Sequence, residues 1–127
     1  MGTRISIVYL ISFLAISLSG CKDEQPQQGV ICTEEFRSTT LYVRGAPLTE
    51  SFTVRLSNSD TIRIKGNGDF GQGYYVILDD NYQTMLENQQ DYFRFIGKRG
   101  NKVAIQENFV FKADHCHITK VSGKSQL

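Results

Sequence analysis

The sequence lacks the signals on which catalytic or cofactor-dependent function usually depends. It has no tryptophan, two histidines and two prolines. It contains neither the G-x-S-x-G of a serine hydrolase nor the H-E-x-x-H of a zinc protease. Its acids are scattered, and the neighbouring pairs Glu34-Glu35 and Asp79-Asp80 fit solvated or helix-capping roles better than acid–base chemistry. We therefore expect neither enzyme activity nor a dissociable cofactor.

The chain also lacks an apolar run long enough to cross a bilayer. Residues 5–18 are almost wholly apolar, but as a helix they would reach about 21 Å, whereas a bilayer core is about 30 Å thick. Arg4 precedes the run, and the small residues Ser19 and Gly20 follow it. This layout is typical of a secretory signal peptide. We expect residues 1–20 to be cleaved from the mature chain.

The cysteine at the end of this run adds a second feature. Leu18-Ser19-Gly20-Cys21 is an aliphatic residue, two small residues and a cysteine, and it resembles the lipobox of bacterial lipoproteins. The resemblance implies that the Cys21 thiolate is joined to a diacylglycerol and that the new amino group is acylated. Several acyl chains give stable anchoring, since each buried CH₂ contributes about 0.8 kcal/mol. The alternative is an ordinary signal peptide followed by an unrelated cysteine.

Charged residues follow the cysteine. Lys22-Asp23-Glu24 resembles the export signal of surface lipoproteins in Bacteroidota, which implies a position on the outer face of the outer membrane. The alternative is a charged linker in a lipoprotein that faces the periplasm. The whole segment 21–31 is polar and rich in glutamine, which predicts a flexible tether between the lipid and a folded domain.

The mature chain has no net charge. Arg4 leaves with the signal peptide, so the 14 basic residues of the full chain fall to 13 and match the 13 acidic ones. This balance argues against nucleic acid or an anionic membrane surface as the partner of the domain. We expect contact with the membrane through the lipid anchor, and a protein or glycan ligand that the sequence does not identify.

Three cysteines are present, and lipid on Cys21 would leave Cys32 and Cys116. An even number of cysteines in an oxidising compartment predicts a disulfide between them. The disulfide would close the loop from Cys32 to Cys116. Closing a loop of that length stabilises a fold by about 4 to 4.5 kcal/mol in the chain-entropy model. The alternative is a reactive thiol pair, but such pairs usually lie close together as Cys-x-x-Cys.

Short alternating runs separated by turn residues predict an all-β domain over residues 32–123, with a tail at 124–127. About seven strands and one short helix within 79–90 predict a two-layer antiparallel β-sandwich. Residues 51–57 and 61–65 should form a hairpin. In the first of these runs alternation places Phe52, Val54 and Leu56 in the core and Thr53 and Arg55 in solvent. Further core candidates are Ile62, Ile64, Phe93, Phe95, Val103, Ile105, Phe109 and Phe111.

The layout resembles the small immunoglobulin-like or transthyretin-like domains of Bacteroidota lipoproteins. The resemblance lies in Cys32 before the first strand, the short helix before a late hairpin, and the closing Cys116-His117-Ile118. It implies a sandwich fastened by a disulfide between its first and last strands. The chain departs from antibody-type domains because it has no tryptophan. That departure leaves the strand order open.

A glycine-rich loop is the first candidate binding site. Residues 66–71 match G-x-G-x-x-G, but residues 74–78 read as a strand, and a dinucleotide site needs a helix there. We therefore expect a loop between strands. Loops of this kind often carry binding residues, and the candidates here are Asp69, Phe70, Tyr74 and Tyr75. The alternative for the tyrosines is packing on a sheet face.

The two histidines are a weak candidate metal site. His115 and His117 flank Cys116, and alternate residues of a strand share a face. Two imidazoles on one face could bind zinc or copper if an acid such as Asp114 assisted. The alternative is two histidines without a ligand. The sequence therefore predicts a non-catalytic interaction or structural module, with a periplasm-facing accessory lipoprotein or a metal-binding module as the alternatives.

Overall fold

A computed structural model describes residues 29–65 and 70–127 of the chain, and this part is an all-β domain with one short helix. The strands are β1 (Ser38–Tyr42), β2 (Glu50–Arg55), β3 (Thr61–Ile62), β4 (Tyr74–Asp79), β5 (Gln90–Arg99), β6 (Lys102–Ala113) and β7 (Ile118–Ser122). A 3₁₀ turn, Asp80–Tyr82, leads from β4 into α1 (Gln83–Leu86). No helix in the described ranges has the length and apolar character needed to cross a membrane.

The strands form two antiparallel sheets, and the core lies between them. One sheet is the pair β1-β4, and the other has the order β3-β2-β5-β6-β7. The predicted β-sandwich is confirmed, and so is the β2–β3 hairpin, in which Thr53 pairs with Ile62. The two sheets differ in width, and this arrangement answers the question of strand order that the sequence left open.

Aromatic side chains from β5 and β6 fill the core. Phe93, Phe95, Phe109 and Phe111 are all buried, as predicted. The rings of Phe93 and Phe111 pack edge to face, with centroids 5.6 Å apart, in the geometry that aromatic pairs prefer. The prediction for Val103 was wrong. It lies beside the β5–β6 turn and is 55% exposed, because β6 extends past the edge of the core.

The predicted faces of β2 are inverted. Thr53 is buried and its hydroxyl donates a hydrogen bond of 2.8 Å to the carbonyl of Ile77 in β4, whereas Phe52 and Val54 are only half-buried. Leu56, which follows the strand, is exposed. Alternation gives the period of a strand but not which of its faces turns inward. Here the hydroxyl finds its partner on the opposite sheet, so burying it is tolerated.

The helix and the carboxyl end of the chain complete the domain. Asp79 caps the 3₁₀ turn, as predicted, by accepting a hydrogen bond from the amide of Asn81. At the other end, Tyr42 of β1 donates its amide to the carbonyl of Ser125 and accepts from the amide of Leu127. Because these residues pair with β1, the domain continues through the segment that the sequence predicted to be a tail.

Candidate functional site

One end of the sandwich gathers the disulfide and the buried charged groups. Cys32, ahead of β1, is bonded to Cys116, in the bend before β7, with their Cα atoms 5.3 Å apart. The predicted bridge is therefore confirmed. It fastens the segment before the first strand to the start of the last one, across a sequence separation of 84 residues.

Beside the disulfide, three side chains form a hydrogen-bonded row. Thr33 Oγ1 lies 3.0 Å from His117 Nε2, and His117 Nδ1 lies 2.7 Å from Asp80 Oδ2. The side chains of His117 and Asp80 are 8% and 9% exposed. Because an ionised carboxylate only accepts hydrogen bonds, Nδ1 carries the proton in this contact. The row joins three segments that are distant in the sequence.

Asp80 is the centre of this arrangement. Its carboxylate also accepts hydrogen bonds from the backbone amides of Arg37 and Ile118, at 2.8 and 2.9 Å. Burial alone would raise the pKa of Asp80, but the bonds from Ile118, Arg37 and His117 outweigh it and hold the pKa below its ordinary value. The side chain is therefore an anion that binds the β1 approach, the bend and β7 together.

Asp114 shapes the bend itself. Its Oδ1 accepts hydrogen bonds from the amides of Cys116 and His117, both at 2.8 Å, which is the pattern of an Asx turn. These two backbone bonds lower the pKa of Asp114. Its carbonyl accepts from the side-chain amide of Gln83 on α1. The predicted metal-assisting acid therefore has a structural role in placing Cys116 and His117.

The row has the order hydroxyl, imidazole, carboxylate, which nucleophilic triads share. Its bonds, however, serve the fold: the carboxylate holds two backbone amides besides the imidazole. Neither Thr33 nor the contact between Asp80 and His117 was predicted from the sequence. No local signal could have predicted them, because the partners lie 84 and 37 residues apart in the sequence.

The two histidines do not form the predicted pair. His117 is buried against Asp80, whereas His115 is exposed and its Nδ1 lies 2.7 Å from the carboxylate of Glu87. The expectation that both would share a strand face was wrong, because residues 115 and 116 form a bend ahead of β7. Within the described residues no group of three or more metal-ligating side chains comes together.

The candidate loop residues are divided between core and surface. Asp69 lies outside the described residues. Phe70 is 45% exposed, and Tyr74 is 40% exposed with its ring packed against that of Tyr42, centroids 4.9 Å apart. Tyr75 is a core residue: it is buried, and its hydroxyl accepts a hydrogen bond from the amide of Leu48. The surface prediction is thus wrong for Tyr75, because alternation turns it inward while Tyr74 turns outward.

Two open clefts flank β1, and each is lined in part by at least one exposed aromatic residue. One, of about 470 Å³, is lined by Tyr42, Tyr74 and Lys120 together with small polar residues. The other, of about 420 Å³, is lined by Phe36, Phe70 and neighbouring residues. Both volumes lie in the range of small-ligand sites. The two exposed candidates of the glycine-rich loop therefore lie in different clefts, Tyr74 in the first and Phe70 in the second.

The predicted lipidation site and export signal lie outside the described residues. They are Cys21 and the charged residues Lys22, Asp23 and Glu24. No protein-family model matches the chain, and no curated protein or solved structure has significant similarity to it.

Proposed function

We propose that the chain is a lipid-anchored, non-catalytic interaction module of the bacterial outer membrane, displayed on the cell surface. The observation that carries the proposal is the pairing of cysteines. Cys32 and Cys116 are bonded to each other, so Cys21 is the one of the three cysteines in the sequence that this bridge does not use. It is also the cysteine of the lipobox-like Leu18-Ser19-Gly20-Cys21.

The disulfide supports an exported protein as well. Structural disulfides persist in oxidising compartments and are rare where glutathione and thioredoxin keep thiols reduced. The bridge begins 11 residues after Cys21, where the predicted tether meets the domain. A lipid on Cys21 would therefore hold the domain through a tether whose domain end is fixed by the Cys32–Cys116 disulfide.

A binding role, and not a catalytic one, fits the described side chains best. The Thr33 hydroxyl and the buried side chains of His117 and Asp80 are used to join segments of the fold. The exposed aromatic residues Phe70 and Tyr74 lie in open clefts. Aromatic side chains supply contact area at low conformational cost. A protein or glycan ligand is the partner that we propose for this surface.

The lipid anchor is tested by metabolic labelling with a palmitate analogue and by the intact mass of the membrane-extracted protein. We expect acyl mass on the wild type and none on Cys21→Ser. The matched control is Cys116→Ser, which removes a different thiol and should still be labelled. Unmodified Cys21 in the mature protein would refute the proposal.

Surface display is tested separately, by protease shaving of intact and permeabilised cells. We expect domain peptides from intact cells. Replacing Lys22-Asp23-Glu24 with alanine should restrict their release to permeabilised cells, whereas Gln27→Ala/Gln28→Ala should not. Release of wild-type peptides only after permeabilisation would favour the periplasm-facing accessory lipoprotein instead.

A further inference from the structure

The outer face of the five-stranded sheet carries an apolar stripe, which we define as Phe52, Val54, Tyr92, Ile96 and Val110. Strand register places Phe52 opposite Ile96 and Tyr92 opposite Val110. In the row between these pairs Val54 lies opposite Arg94, so Val54 connects the two apolar pairs along β2 and diagonally to Tyr92. Tyr92 is 57% exposed, and the other four are half-buried. This is the face that the inverted β2 turns to solvent. Contiguous exposed apolar residues on a folded domain mark interaction sites.

Basic side chains surround the stripe. The described strands place four cations on this face, namely Arg63, Arg94, Lys98 and Lys112, and one acid, Glu50. The guanidinium of Arg63 lies 4.7 Å from the ring centroid of Phe52, and the Lys98 ammonium lies 5.4 Å from it. Phe52 thus sits beneath two positive charges.

The basic charge of this face is only partly neutralised. Glu50 forms ion pairs with both Arg63 and Lys98, at 2.8 and 3.0 Å. Arg94 donates to the neutral amide of Asn108, and Lys112 is exposed on the adjoining strand. The mature chain is neutral as a whole, so the surplus on this face is offset by acids elsewhere. The neutral total charge is therefore compatible with a basic face and does not exclude an anionic membrane surface as its partner.

We infer that this face, the apolar stripe with its four cations, docks on the anionic lipid headgroups of the bilayer to which the chain is anchored. Apolar side chains with lysine and arginine around them are what an interfacial membrane contact requires, because the stripe enters the headgroup boundary while the cations meet phosphates. A second copy of the chain is disfavoured, since two faces with the same surplus charge repel each other.

The anchor makes even a weak contact effective. The chain from Cys21 to Cys32 spans at most about 40 Å when fully extended, so the domain stays close to the bilayer. An anchored site meets its target at a high effective concentration. The high effective concentration rests on the proposed lipid at Cys21. The affinity of the face itself for anionic lipid does not depend on that lipid.

The test uses the mature chain, residues 21–127, with Cys21→Ser, so that no acyl chain contributes. Its sedimentation is measured with vesicles of phosphatidylcholine mixed with phosphatidylglycerol, and with vesicles of phosphatidylcholine alone. We expect binding to the anionic vesicles only, and weakening of that binding by salt. Equal sedimentation with both vesicles, or none with either, would overturn the inference; the second result would leave an acidic protein as the partner to seek.

Variants locate the contact. Arg94→Gln/Lys112→Gln should weaken vesicle binding about 25-fold, since each cation near an anionic surface contributes about fivefold. The matched control is Arg44→Gln/Lys120→Gln, which removes the same charge from residues beside β1 and should bind like the parent. Equal loss in both doubles would show that only net charge acts and would contradict the assigned face. Tyr92→Ser, which keeps every charge, should also weaken binding.

The two proposals fail in different ways. If Cys21 carries no lipid in cells but the Cys21→Ser chain binds anionic vesicles at this face, the anchored function is wrong and the docking face stands. If Cys21 is lipidated but the Cys21→Ser chain does not bind anionic vesicles, the docking face is wrong and the anchored function stands.

Discussion

The imidazole of His117 and the carboxylate of Asp80 meet at 2.7 Å, each less than a tenth exposed. Through this contact the last strand is fastened to the turn after β4. The Asp80 carboxylate also accepts hydrogen bonds from the backbone amides of Arg37 and Ile118. One carboxylate therefore holds the approach to β1, the 3₁₀ turn and β7, beside the disulfide that links the first and last of these.

Replacing that carboxylate should destabilise the domain. In Asp80→Asn one oxygen becomes an amide NH₂ that faces donors, and hydrogen bonds to a charged group are worth about 1.5 to 3 kcal/mol each. We expect the free energy of unfolding in urea to fall by about that amount. The control is Glu35→Gln, which breaks an exposed ion pair with Arg37 and should change stability by less than about 0.5 kcal/mol. Equal losses would contradict the central role of Asp80.

Stability should fall in acid. Burial raises the pKa of Asp80 and of Asp91, but hydrogen bonds outweigh it in both: those from Ile118, Arg37 and His117 at Asp80, and those from Ser57, Arg55 and Tyr92 at Asp91. Each pKa therefore lies below the unfolded value of about 3.9. A lowered folded pKa gives stability that is present above the unfolded value and lost as pH falls through the folded one. Asp79 acts in the opposite sense, since burial raises its pKa.

The pKa values of Asp114 and Glu50 are lowered as well. With four carboxyl pKa values lowered and that of Asp79 raised, we expect the unfolding free energy to drop below about pH 4. Urea titrations across this range measure the drop, and Asp80→Asn/Asp91→Asn should flatten it. An unchanged pH dependence in that double variant would show that other groups cause the acid loss.

The inverted face of β2 offers a matched pair of substitutions. Thr53→Val removes the hydroxyl that donates to Ile77 and leaves a buried carbonyl without that donor, so it should cost about 0.5 to 1.5 kcal/mol. Val54→Thr makes the reverse exchange one residue along, on the solvent side of the strand, and should be nearly neutral. Thermal and urea unfolding distinguish the two. A larger loss for Val54→Thr would mean that the faces are assigned the wrong way round.

Gly123 should tolerate no side chain. Its φ of +120° lies in a region reserved for glycine, and an added Cβ would overlap the buried ring of Phe109. We expect Gly123→Ala to cost about 3 to 5 kcal/mol from backbone strain and overpacking together. Gly100→Ala tests strain alone, since its φ is +62° and its surroundings are open; it should cost about 1 to 2 kcal/mol. Similar unfolding midpoints for the two variants would contradict the clash with Phe109.

Removing the disulfide should strongly destabilise the domain. Cys32→Ser/Cys116→Ser frees a loop of 84 residues, worth about 4.5 kcal/mol in the chain-entropy model. Unfolding of the wild type under reducing conditions should match that of the double variant. Cys21→Ser should leave the unfolding curve unchanged because Cys21 is not part of the bridge. A change as large in Cys21→Ser would mean that the cysteines pair differently.

Several features followed from local sequence because their causes are local. The period of two along Phe93 and Phe95, and again along Phe109 and Phe111, predicted these four buried rings. Asp79 ahead of a short polar helix predicted the cap. The disulfide followed from the number of cysteines and the predicted compartment. The lipid anchor at Cys21 and the location of the protein stay predictions.

Tertiary structure decided which face of each strand turns inward and which distant groups meet. Thr53 lies inside and Phe52 outside, because a hydroxyl can be buried where the opposite sheet offers the carbonyl of Ile77. His117 was separated from His115 by a bend that Asp114 holds. The four cations of the outer face come from two strands, β5 and β6, and from Arg63 beside β3, so the neutral total charge of the chain gave no sign that they share a face. Alternation and composition are properties of neighbouring residues, whereas buried hydrogen bonds and surface charge depend on which strands lie side by side.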